Sequence, residues 1–207
     1  MKTAILGRKI GMTTIYTDEG RQIPVTLVQA GPCPVVRLRT NEKDGYSAVL
    51  LGFEEIEEKK LSKPILGQFK KINLPPVRFL KEFRGLQGEY TIGDKITVEN
   101  FAVGNKVKIS GISKGKGFQG VVKRHHFGGV GMTTHGQSDR QRHPGSIGAS
   151  SYPSRVIKGL RMAGQMGNKQ ISIKNLEVVG IYPDENILAV KGGVPGPKNG
   201  LLEIVEN

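Results

Sequence analysis

The segment from residue 111 to residue 167 constrains the fold most, because it cannot build a core of its own. It contains 13 glycines and all four histidines of the chain. Apolar side chains are sparse between Phe127 and Val156, where only these occur: Val130, Met132, Ile147, Ala149 and Tyr152. Too little apolar surface is available there to offset the conformational entropy lost on folding. Any packed core must therefore come from the sequence on either side.

The same segment carries most of the positive charge. The 207-residue chain has a net charge of +13 and a pI near 9.9. Residues 104–174 hold 13 Lys and Arg against one acid, Asp139, whereas residues 1–103 hold 16 against 12 and residues 175–207 hold 2 against 5. Nucleic acid, an anionic membrane and an acidic protein are the usual partners of such a charge. Dense glycine prevents the continuous amphipathic helix of a peripheral membrane protein, so nucleic acid is favoured.

Outside this segment the sequence predicts short strands separated by turns. The predicted strands cover residues 23–30, 34–40, 46–53, 95–101 and 106–112, and strands resume after residue 169 with a hairpin turn at 183–186. Their spacing favours a barrel or a sandwich. We therefore expect the first part of a β body at 1–110, an extension at 111–169 and the rest of the body at 170–207.

Residues 54–90 interrupt the strand pattern and predict a small peripheral insertion. They begin with the charged run EEIEEKK and contain Pro64, Pro75 and Pro76. A helical turn or two is expected at residues 77–83. The charged run is most simply a solvated surface.

Cysteine usage and hydropathy indicate a cytoplasmic protein. Cys33 is the one cysteine, so no internal disulfide and no Cys-based zinc site can form. The N-terminal sequence lacks the apolar region of a signal peptide. No stretch approaches the roughly 18 to 20 apolar residues that cross a bilayer. A reducing compartment is therefore expected.

The sequence GKGFQG at 115–120 matches the glycine pattern of dinucleotide-binding folds. That pattern requires a strand leading into a helix, and the glycines at 128, 129 and 131 argue against a helix here. We interpret the segment instead as a place where glycines let the backbone approach a phosphate chain while Lys114 and Lys116 neutralise it. A nucleotide-dependent enzyme stays open as an alternative.

The four histidines, His125, His126, His135 and His143, do not match a zinc-binding spacing. Asp139 is the only nearby carboxylate that could orient them. No metal site is therefore predicted, and the histidines are expected to bind phosphates or stack on bases. Few aromatic residues occur in the segment, which favours recognition of folded RNA by its backbone and shape over reading of single-stranded bases.

Six motifs stand out along the chain: ILGRKIGMT at 5–13, PVTLVQAGPCPVV at 24–36, DGYSAVLLGF at 44–53, KGKGFQGVVKRHHF at 114–127, HPGSIGASSYPSRVIKGLRMAGQMGN at 143–168 and AVKGGVPGPKNGLL at 189–202. Together they closely resemble the family of large-subunit ribosomal protein three, in its bacterial form. The resemblance covers essentially the whole chain. PGSIG followed by KGxxMAGQMG is highly specific, whereas GxGxxG is not.

The resemblance implies a mainly β fold, with a six-stranded barrel of the kind shared with translation factors, a small α/β insertion and a long basic Gly-rich extension. It implies a non-enzymatic constituent of the cytoplasmic large ribosomal subunit that acts early in assembly. Its partners would be large-subunit rRNA, near the 3′ region, and neighbouring ribosomal proteins. No cofactor, metal, membrane or small-molecule substrate is expected. A free-standing nucleic-acid chaperone is a further alternative.

The candidate rRNA contacts are basic and histidine side chains. They are Lys2, Arg8, Lys9, Lys114, Lys116, Lys123, Arg124, His125, His126, His135, Arg140, Arg142, His143, Arg155, Lys158, Arg161 and Lys169. The resemblance places the tip of the extension, at about 143–151, near the peptidyl transferase centre. Its residues are Gly145, Ser146, Ile147, Gly148, Ala149 and Ser150. Some family members carry a methylated glutamine where this chain has Ala149, so that modification cannot occur at this position.

Overall fold

The structure is a computed structural model that describes residues 3–17, 19–86, 88–131, 135–136 and 139–207. It is mainly β. The strands are β1 (Ala4–Tyr16), β2 (Gln22–Ala30), β3 (Cys33–Arg39), β4 (Ala48–Glu55), β5 (Val77–Arg84), β6 (Lys95–Ile96), β7 (Lys106–Ile112), β8 (Gly117–Gln119), β9 (Gly164–Met166), β10 (Gln170–Tyr182), β11 (Ile187–Lys191) and β12 (Leu201–Glu206). The α-helices are α1 (Asn41–Asp44), α2 (Lys63–Lys71) and α3 (Val121–His125).

Six strands close into an antiparallel barrel in the order β1-β12-β7-β10-β11-β2. The predicted six-stranded barrel is thus confirmed. Alternation of apolar and polar residues explains how the strands fold, since every second side chain of a strand points into the barrel. Val107 and Ile109 of β7 and Leu202 and Ile204 of β12 are fully buried. The barrel core therefore joins segments from the middle and from the C-terminal end of the sequence.

A second sheet, in the order β5-β4-β3-β6, packs beside the barrel. Phe53 and Phe83 of this sheet lie in the same buried cluster as the barrel core. A smaller cluster of Val36, Phe69 and Val77 holds α2 against the sheet. The Lys81 ammonium lies 2.8 Å from the Glu203 carboxylate and links β5 to β12.

The prediction of helical turns at residues 77–83 is wrong, because this segment forms β5. It pairs with β4 in register, with Phe53 opposite Phe79 and Val49 opposite Phe83. Long-range pairing with an apolar neighbour strand decides its conformation. The helix of the insertion is instead α2, which has Pro64 in its first turn, where the fixed φ of proline suits a helix start.

The strand predicted at 95–101 is also shorter than expected. Only Lys95 and Ile96 belong to β6, and residues 98–100 form a 3₁₀ turn. The Thr97 backbone N–H donates to the Asn100 side chain at 3.1 Å, which closes a capping box. By contrast, β7 has the predicted bounds, and the turn at 183–186 joins β10 to β11.

The chain divides into two compact units. The first, called here the barrel unit, comprises residues 1–113 and 170–207. The second, called the basic unit, comprises residues 114–169. Within the described ranges, no helix has both the length and the apolar character to span a membrane.

Candidate nucleic-acid interface

The basic unit is organised around a short antiparallel hairpin of β8 and β9. Phe118 lies opposite Gln165, and the Lys116 N–H donates to the Met166 carbonyl at 2.9 Å. Gly167 has a φ of +71°, and a side chain there would collide with the Lys114 carbonyl. Only glycine lets the two backbones approach this closely. The hairpin thus places Lys114 and Lys116 beside the end of β9.

A helical segment follows GKGFQG, contrary to the prediction that glycines exclude it. Helix α3 occupies five residues and ends at His125, and the next residue, His126, has a left-handed φ of 61°. The helix fits because it ends before the first of the glycines at 128, 129 and 131. Strand β8 is part of a two-stranded antiparallel sheet, whereas a dinucleotide-binding fold has a parallel strand leading into a long helix. The geometry therefore does not support a nucleotide site at GKGFQG.

Arg124 and His125 on α3 both bind the same backbone carbonyl. The Arg124 guanidinium donates to the Met162 oxygen at 2.6 Å, and His125 Nε2 lies 3.1 Å from it. Gly164 lies against the guanidinium, since an added Cβ would be 2.7 Å from Arg124 Nη1. Arg124 therefore joins α3 to the segment before β9 as well as contributing charge.

Little else packs within the basic unit. Of its described residues, Val121 alone is buried, at 3% exposure. Gly129, at a φ of +69°, lies against the Gln141 carbonyl, and the Val130 N–H donates to that same oxygen at 3.3 Å. Between α3 and β9 no described residue belongs to a strand. Backbone contacts and turns, rather than a core, define this stretch.

Most of the predicted basic side chains of the unit are exposed. No described acid pairs with the following eight: Lys114, Lys116, Lys123, Arg140, Arg142, Arg155, Lys158 and Arg161. Lys169, His126, His135 and His143 are exposed as well. The whole unit contains ten Lys and Arg and one acid, Asp139. It presents unneutralised positive charge to its surroundings.

Every residue of the predicted tip, from 143 to 151, is exposed. Its turn is held locally, because the Ser146 hydroxyl donates to the Gly148 carbonyl at 2.9 Å. Gly145 has a φ of +84°. With residues 154–156 the tip lines a cavity of about 480 Å³. Small side chains and open space leave its backbone accessible.

The N-terminal candidates lie in the barrel unit and are already engaged by protein groups. The Arg8 guanidinium is 2.7 Å from the Glu54 carboxylate, and it stacks on the Phe79 ring at 5.6 Å. The Lys9 ammonium donates to the carbonyls of Val194 and Gly196 at 3.0 and 3.3 Å. Lys2 lies outside the described residues. These contacts join β1 to its neighbours, and sequence reasoning from charge alone missed them.

The structure adds apolar residues that the sequence analysis did not single out. Phe118 is 76% exposed and Ile157 is 68% exposed, and Val156, Leu160 and Met162 are also exposed. Apolar and aromatic side chains of this kind stack on bases and riboses. The signal was present in the sequence, since a segment without a core must leave its few apolar side chains exposed.

The described histidines do not gather into a metal site. Within the part of the chain that the structure describes, no three His, Cys, Asp or Glu side chains are placed to hold a metal ion. His125 instead lies beside Phe127, with ring centroids 6.1 Å apart. The chemistry available at this surface is therefore charge neutralisation, hydrogen bonding and stacking.

Comparisons with known proteins give a family match and similar relatives. The model of the ribosomal protein L3 family matches residues 89–185. Large ribosomal subunit protein uL3 of Salinibacter ruber is 51% identical over 205 residues, which cover 99% of each chain. The uL3 protein of Chlorobium limicola is 52% identical over 204 residues, which cover 98% of this chain and 97% of the relative.

Proposed function

The chain belongs to the ribosomal protein L3 family, and from that premise we propose that its basic unit binds large-subunit rRNA by neutralising backbone phosphates. In keeping with the family in its bacterial form, the protein is a structural constituent of the large ribosomal subunit and not an enzyme. That subunit is cytoplasmic in bacteria.

One observation carries the proposal: eight exposed cations of the basic unit have no acidic partner among the described residues. In the barrel unit, several cations are paired with acids, as Lys191 is with Glu177 at 3.0 Å and Arg39 is with Asp44 and Glu82. Like charges at this density repel one another in a free protein. Phosphates remove that repulsion, and the release of their counterions favours binding.

The region around Lys114 and Lys116 fits a phosphate chain. A Cβ added at Gly115 would meet only the Asn168 side chain, at 3.8 Å, and one added at Gly117 or Gly120 would meet nothing within 4 Å. Open space beside three glycines lets a sugar-phosphate backbone approach closely. The two ammonium groups would then face the phosphates together.

Salt dependence tests the phosphate contacts directly. We expect the Lys114→Ala/Lys116→Ala double variant to bind a transcript of the rRNA 3′ region more weakly. Its plot of log affinity against log salt should be shallower by about 0.7 to 0.9 for each lost contact. Affinity measured across a salt series gives the slope.

The matched control is Lys43→Ala/Lys63→Ala, which removes two exposed lysines from the barrel unit. Both variants lose the same net charge, so an effect of overall charge would be equal in the two. Unchanged affinity and slope for the Lys114/Lys116 variant, or equal losses in both, would show that these lysines do not bind phosphate.

Co-sedimentation separates this role from that of a free-standing chaperone. A constituent of the subunit should co-sediment with large subunits in one copy each and remain after a high-salt wash. A chaperone would be substoichiometric and would be removed by the wash.

The tip is proposed to shape the surroundings of the peptidyl transferase centre, an assignment that follows the family resemblance. No charged residue lies between Pro144 and Tyr152, so the tip adds little electrostatic affinity. Gly145, Ser146, Gly148 and Ala149 instead allow close backbone approach. Peptide-bond formation remains the work of RNA.

Added bulk at the tip should therefore change function without preventing assembly. We expect Gly145→Asp and Ala149→Arg to give nearly normal subunit yield on sucrose gradients but altered peptidyl transfer or altered sensitivity to drugs bound at that centre. Ala149→Ser is the control with little added volume. Complete loss of subunits in the two bulky variants would contradict this role.

A further inference from the structure

We infer that the outer half of β1, residues 11–16, docks an extended strand of a neighbouring large-subunit protein by backbone pairing, an inference that rests on the chain's place in that subunit. The barrel strand β12 pairs with β1 only from Ala4 to Arg8. The pairing of β1 with β2 continues to Tyr16. Residues 11–16 thus have β2 on one side and no described strand on the other.

The hydrogen-bond pattern identifies which backbone groups face the open edge. Gly192 donates to the Pro24 carbonyl at 2.8 Å, so Pro24 points its backbone away from β1. Its partner Thr14 is consequently a non-hydrogen-bonded position of the β1–β2 ladder. Because such positions alternate, Met12, Thr14 and Tyr16 all direct their N–H and C=O groups to the open edge.

This edge lacks the features that usually prevent strand pairing. Exposed edges are normally protected by charged residues, prolines or bulges, yet residues 11–16 contain no charge and no proline. The bulge in β1 lies earlier, between Lys9 and Gly11. The opposite edge of the same two-stranded ribbon carries Pro24, which has no N–H to donate. Of the two edges of this ribbon that the structure describes, the β1 edge is the one open to a new strand.

The side chains at this edge are also apolar and exposed. Met12 is 57% exposed and Tyr16 is 67% exposed. They share one face of the strand with Thr14, because side chains alternate. An added strand would cover both side chains and satisfy the six outward backbone groups at once, as in other cases of β-augmentation.

Charge favours a protein over RNA at this edge. Residues 10–17 carry no cation, whereas RNA-binding surfaces depend on Lys and Arg contacts with phosphate. The sequence that follows, residues 18–21, contains Asp18, Glu19 and Arg21, for a net charge of −1 that disfavours phosphate. The incoming segment is thus an extended strand rich in β-branched or aromatic residues.

Site-specific photo-cross-linking in assembled subunits tests the inference. The photoreactive residue p-benzoylphenylalanine replaces Tyr16, or in a second protein Met12, and large subunits are purified and irradiated. We expect a cross-link from both positions to one extended segment of a single large-subunit protein, located by mass spectrometry.

Proline substitution then asks whether backbone pairing holds that segment. Thr14→Pro removes an outward N–H and leaves the bonds to β2 intact, so the cross-link yield should fall by about tenfold, equivalent to about 1.4 kcal/mol. Gln22→Pro is the matched control, because Gln22 lies opposite Tyr16 and faces the other edge of the ribbon. Its yield should be unchanged. Thr14→Lys, which does not depend on proline being tolerated, should also lower the yield.

Other outcomes would overturn the inference. Cross-links to rRNA, cross-links to a second copy of this chain, or none from either position in subunits that contain the protein would each do so, as would equal yields for Thr14→Pro and Gln22→Pro. Absence of the protein from large subunits would instead contradict the proposed function itself.

Discussion

The barrel unit and the basic unit use the same kinds of residue for opposite purposes. In the barrel unit, apolar side chains such as Ile5, Leu188 and Leu202 are fully buried, and cations such as Arg8 and Lys81 are paired with acids. In the basic unit Val121 alone of the described residues is buried, and most cations have no described acidic partner. Stability is thus concentrated in one unit and binding capacity in the other.

This difference is the physical reason for the proposed polyanionic partner. Burying apolar surface stabilises a fold by about 25 cal/mol per Å², and the basic unit buries almost none within itself. Exposed cations that repel one another in the free chain become favourable contacts on RNA. We expect the barrel unit to fold without such a partner.

Replacement of the core-poor segment should give the largest effect. We predict that replacing residues 120–163 by an Asn-Gly turn, which can connect the paired residues Gln119 and Gly164, leaves the barrel folded but severely reduces mature large subunits. Circular dichroism melting of the purified variant and sucrose gradients of cells that depend on it measure the two properties.

Two results would contradict the proposed difference between the barrel unit and the basic unit. A barrel that no longer folds would show that the basic unit supports its stability. Normal subunit maturation would show that the segment is dispensable for assembly. The full-length chain, produced in the same way, is the control.

Truncation of one apolar side chain in each unit should give the next largest effect. Leu202→Ala leaves a cavity in the barrel core and should lower the free energy of unfolding by about 2 to 5 kcal/mol. Ile157→Ala removes a side chain that is 68% exposed, and its effect should stay within about 0.5 kcal/mol. Denaturant unfolding monitored on the barrel measures both, and similar losses would contradict the comparison.

The smallest effect concerns Cys33, which is buried in the barrel core. Burial raises the pKa of its thiol from 9.0 to about 12. The folded state therefore keeps the thiol protonated at a pH where the unfolded chain ionises it. Stability from this group is complete below pH 9 and decreases between pH 9 and pH 12, by about 1.4 kcal/mol per pH unit.

The free energy of unfolding, measured at pH 8 and pH 10, tests whether stability decreases in this pH range. The wild-type protein should lose more stability between the two values than Cys33→Ala, which is less stable at both but lacks the thiol. Because lysines and tyrosines titrate equally in both proteins, the difference between the two losses isolates the cysteine. Equal losses would mean that the thiol ionises equally well in the folded state.

Local patterns in the sequence predicted the strands whose alternation is regular. Strand β7 has the predicted bounds because Val107 and Ile109 alternate with polar residues. Residues 77–83 were assigned wrongly, since their conformation depends on pairing with β4, a contact that no local pattern reveals. Helix α3 was missed because its five residues precede the glycines that seemed to exclude a helix.

The candidate site was predictable where it depends on composition. The scarcity of acids in residues 114–169 indicated exposed positive charge, and most cations of this segment are exposed in the structure. The partners of Arg8 and Lys9 could not be predicted, because Glu54 lies 46 residues from Arg8 in sequence and the Val194 carbonyl lies 185 residues from Lys9. Contacts of that separation depend on the closed barrel.

Hydrogen exchange on the free protein tests the central contrast most directly. Amides of β7, β10 and β12 should be strongly protected, whereas amides of residues 139–163 should exchange rapidly and become protected in purified large subunits. Strong protection of residues 139–163 in the absence of RNA would contradict the account, because the basic unit would then be ordered without its partner.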